Sequence, residues 1–99
     1  MAKKEEVKRK DTGNVVFIGD KPFMNYIRAV EYQFRETDVV VIKARGKHIS
    51  RAVDIAQVIK NRAGAIVSNI VIDDEEFMNK EDKKIRVSTI DITVKKEVK

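Results

Sequence analysis

The chain has no cysteine and no tryptophan, a single histidine, a single proline and four glycines. Without cysteine there can be no disulfide and no thiolate metal site. One histidine cannot build a zinc site, and no carboxylates stand beside it at an obvious ligand spacing. No apolar run approaches membrane-spanning length, and the opening residues lack a secretory apolar region. These absences predict an intracellular, soluble protein with no cofactor and no membrane partner. There is also no Walker sequence and no Gly-x-Gly-x-x-Gly pattern. The glycines, at 13, 19, 46 and 64, fall at expected element boundaries.

What is present is charge. Of 99 residues, 37% are charged and 42% apolar, enough for one domain with an adequate core that dimerisation would help complete. The formal net charge is +5, and all of it lies between Val39 and Ile72. That segment holds Lys43, Arg45, Lys47, Arg51, Lys60 and Arg62 against the lone acid Asp54. A cationic cluster between two packed elements is a candidate anion-binding surface, and the natural large anion is the nucleic-acid backbone.

Along the chain, residues 1–12 read as a flexible basic tail. Asn14 to Ile18 is a short apolar run that reads as a buried strand, ending in the turn chemistry of Gly19-Asp-Lys-Pro22. Phe23, Ile27, Val30 and Phe34 then mark one face of a helix that should end near Glu36 or Thr37. Val39 to Ala44 is a second strand rich in β-branched residues. Ile49, Ala52, Val53, Ala56, Ile59 and Ala63 form a second helical stripe, with Gly64 as its C-cap. Ala65 to Asp73 and Lys83 to Lys96 are two further strands, joined by a polar connection from Asp74 to Asp82. Ile85 and Val87 have the opposite parity to Ile90, Ile92 and Val94, which predicts a bulge or twist near Ser88-Thr89. The order is β-α-β-α-β-β, an α/β two-layer (α+β) domain over residues 13–96. Two helices should cover one face of a four-stranded mixed sheet, and a terminal hairpin should project.

No convincing catalytic constellation is present. Ser50 and His48 are two residues apart and do not face each other on a helix. His48 reads instead as an edge of the basic loop. Asp73-Asp-Glu-Glu76 could attract a hard cation but reads as a solvated loop.

The basic junction is the candidate site. Lys43, Arg45, Lys47 and Arg51 cluster where a strand enters a helix, whose N-terminus adds free N–H groups and a positive dipole end. Parallel strands end on the same side, so Lys21 in the first strand-helix loop should lie near Arg45 and Lys47. The hairpin is a second candidate contact. Its cations are outnumbered by six acids between Asp73 and Asp82. It would serve best with Lys83, Lys84 and Arg86 on one edge against a minor groove, and Phe77 and Met78 as apolar wedges. The alternative is that Phe77 and Met78 pack across the hairpin.

Asn14-Val-Val-Phe-Ile-Gly, Lys21-Pro-Phe-Met-Asn-Tyr26, Val41-Ile-Lys-Ala-Arg-Gly-Lys47, Ile49-Ser-Arg-Ala-Val-Asp54, Lys60-Asn-Arg62 and Val87-Ser-Thr-Ile-Asp-Ile92 resemble, in order, the Alba family of small archaeal chromatin proteins. The resemblance implies a fold similar to the C-terminal domain of bacterial translation initiation factor three. It implies a non-enzymatic homodimer that binds double-stranded DNA with little sequence preference, and RNA as well. The dimer body would sit on the backbone and the hairpin arms in the flanking minor grooves. Lys21, Lys43, Arg45 and Lys47 match family nucleic-acid-binding positions; Lys83, Lys84 and Arg86 carry over only as a region.

Two departures from the family matter. Many members have two lysines where this chain has Asp20 and Lys21, so affinity should be lower. Acetylation, which tunes some relatives, could act only on Lys21 of that pair. Relatives also carry an aromatic after Asn-Arg in the second helix, where it packs dimer against dimer along DNA. Here the position is Ala63, and only weak dimer-dimer association is expected. The alternative functions are an RNA-binding protein or ribonucleoprotein component and, third, a nuclease subunit.

Overall fold

A computed structural model describes residues 14–97. The tail expected at 1–12 lies outside the described residues. Strand β1 spans Val15–Phe17, helix α1 Phe23–Gln33, β2 Val39–Arg45, α2 Ile49–Ala63, β3 Ala65–Met78 and β4 Lys84–Lys96. One turn of 3-10 helix, Gly46–His48, joins β2 to α2. The sheet order is β1-β2-β4-β3. β1 runs parallel to β2, while β4 pairs antiparallel with both β2 and β3. This is the expected two-layer arrangement of two helices on a mixed sheet.

Alternation along the strands sends Val16, Ile18, Val40, Ile42, Ala44, Ile90, Ile92 and Val94 into one core. α1 meets it with Tyr26, Ile27, Val30 and Phe34, and α2 with Ala52, Ile55, Ala56 and Ile59. Full burial of each large aliphatic stabilises by about 1.5–3 kcal/mol. Three details of the expected helical faces change. Ile55 is buried where Val53 had been expected, and Val53 is 40% exposed, because the apolar stripe of α2 turns between Ala52 and Ala56. Tyr26 joins the core beside Ile27. α1 closes earlier than Glu36, at Gln33, and the chain continues through the turn residues Phe34–Glu36. Gly64 ends α2 in the left-handed conformation, φ 66°, as a C-cap glycine should.

The hairpin is longer than the sequence suggested. Asp74 to Met78 were expected in the connection but belong to β3, paired residue by residue from Asp74 opposite Ser88 to Met78 opposite Lys84. Polar composition did not prevent a strand, because the carboxylates meet cations across the ladder. Arg86 lies 3.0 Å from Glu76 and 3.3 Å from Asp74, and Lys84 lies 3.7 Å from Glu76. The turn is closed by Asn79, whose side-chain oxygen accepts from the N–H groups of Glu81 (2.8 Å) and Lys83 (3.0 Å). The molecule extends 51 Å along its longest axis but only 19 Å along its shortest.

The register irregularity also lies elsewhere. It falls in β3, between Val67 and Asn69, and β4 pairs without interruption through Ser88 and Thr89. No parity change is needed there, since Ile85 and Val87 stay on the helix-free face. Val87 sits under Gly46, where an added Cβ would come within 3.3 Å of it, and Gly46 has φ 58°. Ile85 pairs with Phe77.

Candidate functional site

Parallel pairing of β1 and β2 brings their following loops together at one end of the sheet. Gly19, Asp20, Lys47, His48 and Arg51 line one shared hollow. His48 Nε2 lies 3.8 Å from Asp20 Oδ1, so the acid faces the second loop. α2 has no side-chain cap at its N-terminus and no acid in its first turn. The Ile49 N–H already donates to the Gly46 carbonyl of the preceding 3-10 turn, so it is the positive end of the helix dipole that reinforces the cations around it.

Arg51 is the hinge pin of this junction. Its Nη1 donates to the carbonyls of Gly19 (3.0 Å) and Lys21 (2.6 Å), and its guanidinium lies 5.8 Å from the centre of the Tyr26 ring. The Tyr26 hydroxyl accepts from the backbone N–H groups of Gly19 and Lys21, each at 2.9 Å. Between them, Arg51 and Tyr26 fix both carbonyls and both amides of the Gly19–Lys21 loop. The Lys21 side chain is held out on a loop of set conformation.

The cations expected to meet an anion fall into two groups. Among the described residues, the amino groups of Lys21, Lys47 and Lys83 make no ion pair. Arg51 is held by backbone carbonyls, and the others have intramolecular carboxylates. Lys43 Nζ lies 2.9 Å from Asp91, and Arg45 Nη1 lies 3.0 Å from Glu75. Arg86 and Lys84 pair with the β3 acids across the hairpin. Arg45 also lies over the Phe77 ring, 5.9 Å from its centre. Phe77 and Met78 are both substantially exposed. Ala63, at the end of α2, is half-buried against the protein's own core. Beside it Arg62 makes a two-pronged contact with Glu31 of α1, at 2.9 and 3.3 Å.

Sequence reasoning missed four participants. Glu75 and Asp91 are distant in sequence from the cations they neutralise, and only the strand register reveals them. Tyr26 had no sequence signal as a loop anchor. Phe17 was read as part of a buried run, yet its parity relative to Val16 and Ile18 could have placed it outside. It is 72% exposed. Among the described residues, no group of three or more histidines and carboxylates could hold a metal. Among them too, no helix is long and apolar enough to cross a membrane.

A family model described as Alba matches residues 14–73. The protein called DNA/RNA-binding protein Alba from Methanocella arvoryzae is 45% identical over 86 residues, covering 84% of this chain and 90% of the relative. The protein of the same name from Nanoarchaeum equitans is 49% identical over 86 residues, covering 82% of this chain and 96% of the relative. Among solved structures, Alba from Thermoplasma volcanium superposes with a TM-score of 0.76 at 39% identity, covering 83% of this chain and 99% of that one. An Alba protein from Trypanosoma brucei shares the fold, with a TM-score of 0.70 at 20% identity over 84% of this chain and 68% of that one.

Proposed function

The chain belongs to the Alba family, and we propose that it is a non-enzymatic, chromosome-associated protein that binds double-stranded DNA through the phosphate backbone with little sequence preference. The observation that carries this reading is the strand-helix junction. There two loops meet a helix N-terminus without a side-chain cap; Lys47 and Arg51 line the hollow between them, and Lys21, whose amino group makes no ion pair, projects from the neighbouring loop towards Phe17 and Tyr26. Such an arrangement favours a polyanion and has no feature that reads base edges. Arg45 and Lys43 extend the cationic track along β2. The names of the relatives add RNA as a second partner, and phosphate contacts alone do not separate the two.

The acting unit in this reading is a homodimer. Ile70 and Ile72 point to the helix side of the sheet, yet they are 56% and 76% exposed, because the helices do not cover this part of β3. Val53 is exposed on α2 of the same layer. A second copy covering these residues would remove an apolar surface that a lone protomer leaves in water. Two hairpins would then reach outward from one body, placing Lys83, Lys84 and Arg86 against flanking minor grooves.

The test is the salt dependence of duplex binding. Each phosphate neutralised contributes roughly −0.9 to the slope of log K against log salt. Arg45→Ala and Lys47→Ala should each weaken binding across unrelated sequences and flatten that slope. An unchanged slope in both variants would remove the junction from the interface.

A further inference from the structure

We propose that the helix-free face of the sheet carries a separate site for an unpaired nucleic-acid strand, centred on Phe17. The proposal rests on the nucleic-acid-binding reading above and names a substrate that reading leaves open. Val16 and Ile18 turn into the core, so Phe17 turns out, and its ring stands 72% exposed on the edge strand of the sheet. An aromatic left that open forgoes most of the stabilisation that burial would give it.

Its neighbours are cationic on both sides. Lys43 is its register partner on β2. Phe17, Lys43 and Arg45 line one cleft of about 630 Å³ with four carboxylates, Asp73, Asp74, Glu75 and Asp91, of which Asp91 holds Lys43 and Glu75 holds Arg45. On the outer side, Phe17 borders a shallow hollow shared with Lys21 and Arg28. A ring flanked by cations matches the repeat of a single strand, in which a flat base alternates with a charged phosphate. The cleft is also large enough for a nucleotide, within the roughly 300–1,000 Å³ range of small-molecule sites. Lys43 and Arg45 supply donors there, and Asp91 and Glu75 supply acceptors. A base edge presents both kinds of partner.

A paired duplex cannot use this site, because its bases are stacked on one another and their faces are closed. An unpaired base can lay its face on Phe17 while its phosphates reach Lys21 on one side and, by displacing Asp91, Lys43 on the other. Stacking is tolerant of sequence, because every base has a π-face. The surface therefore selects the strand state and not the order of bases.

The experiment uses the full chain with two probes, a short oligoadenylate RNA and a DNA duplex. Phe17→Ala should weaken oligoadenylate binding by about 5- to 150-fold, the effect of losing one base-aromatic stack, and leave duplex affinity essentially unchanged. The chain has no tryptophan, so Phe17→Trp places the one tryptophan at the site, excited selectively at wavelengths the tyrosines do not absorb. Oligoadenylate should quench it and retain its affinity, while an abasic strand of the same length should not quench it. Unchanged oligoadenylate affinity in Phe17→Ala would overturn the proposal, as would unquenched Trp emission with the strand bound. A shift of Phe17→Ala to a smaller species in sedimentation would also overturn it, by assigning the ring to contact between copies. If the parent chain bound neither probe, the nucleic-acid reading itself would fall. If it bound the duplex normally while Phe17→Ala changed nothing, only this inference would fall.

Discussion

Removing one acid should make this protein bind DNA more tightly. Arg45 reaches Glu75 at 3.0 Å, and the two side chains are about half exposed. An exposed pair of this kind is worth about 0–1 kcal/mol. In the proposed complex a phosphate must take the guanidinium from Glu75, so that free energy is subtracted from binding. The released carboxylate also stays beside the incoming phosphate. At about 6 Å in a water-like dielectric it repels by roughly 0.7 kcal/mol. Glu75→Gln removes both terms. It keeps the side-chain length and an acceptor oxygen, so Arg45 can remain over Phe77.

The gain should be about 0.7–1.7 kcal/mol per protomer, the sum of those two terms, or roughly 3- to 17-fold in affinity. Two protomers on one duplex would compound it. The salt dependence should change too. A cation already neutralised by a carboxylate contributes less to net ion release than a free one. The slope of log K against log salt should therefore steepen by up to about 0.9 per protomer. Fluorescence titration of a labelled duplex across a potassium chloride series measures both quantities. Folding stability should fall by no more than about 1 kcal/mol, the worth of the exposed pair. The reasoning is refuted if Glu75→Gln leaves affinity and slope as they were while Arg45→Ala lowers affinity. Arg45 would then reach phosphate without Glu75 opposing it.

Two further outcomes follow from the same geometry. Asp20, facing the junction from the neighbouring loop, places a negative charge on the proposed binding face; Asp20→Lys should tighten duplex binding at moderate salt, and titrations that match the parent would put Asp20 off the interface. Ala63→Phe should increase cooperativity on long duplexes by giving neighbouring dimers an aromatic to bury, read as steeper isotherms; isotherms as shallow as the parent's would count against end-to-end packing through this position.

The architecture was legible because hydrophobic period is a local property. Three- and four-residue spacing in α1, β-branched runs in β1 and β2, and the glycine after Ala63 each specify their element without knowledge of distant residues. The two-layer arrangement then follows from the handedness of strand-helix-strand units. The hairpin was expected, but its length was underestimated because local composition argued against strand at Asp74 to Met78. Asp73 to Glu76 reads as loop until its partners on β4 are known. The bulge was placed on the wrong strand for a related reason. Parity along β4 showed that something changed face, but only the pairing partner reveals that Ile85 and Val87 can remain outside, under Gly46 and opposite Phe77.

The candidate site was legible as positions and illegible as available charge. Sequence counts Lys43, Arg45, Lys84 and Arg86 as cations, and each has a carboxylate within 4 Å. Those carboxylates come from Asp91, Glu75 and Glu76, brought in by strand register and not by proximity in sequence. Arg51 is committed to backbone carbonyls, so its guanidinium serves the loop before it serves a ligand. In the proposed complex, long-range attraction would therefore come mainly from Lys21, Lys47 and the α2 N-terminus, while the paired cations would engage only after close approach allows a phosphate to displace their acids. Such an interface releases few ions at first encounter and more once docked. In that reading the arms, whose Lys84 and Arg86 are already paired, would gain by shape and apolar contact at Phe77 and Met78. The same ordering explains why Phe17 stands out: it is a large apolar face already open to solvent, and stacking on its ring does not itself require the Lys43–Asp91 pair to break.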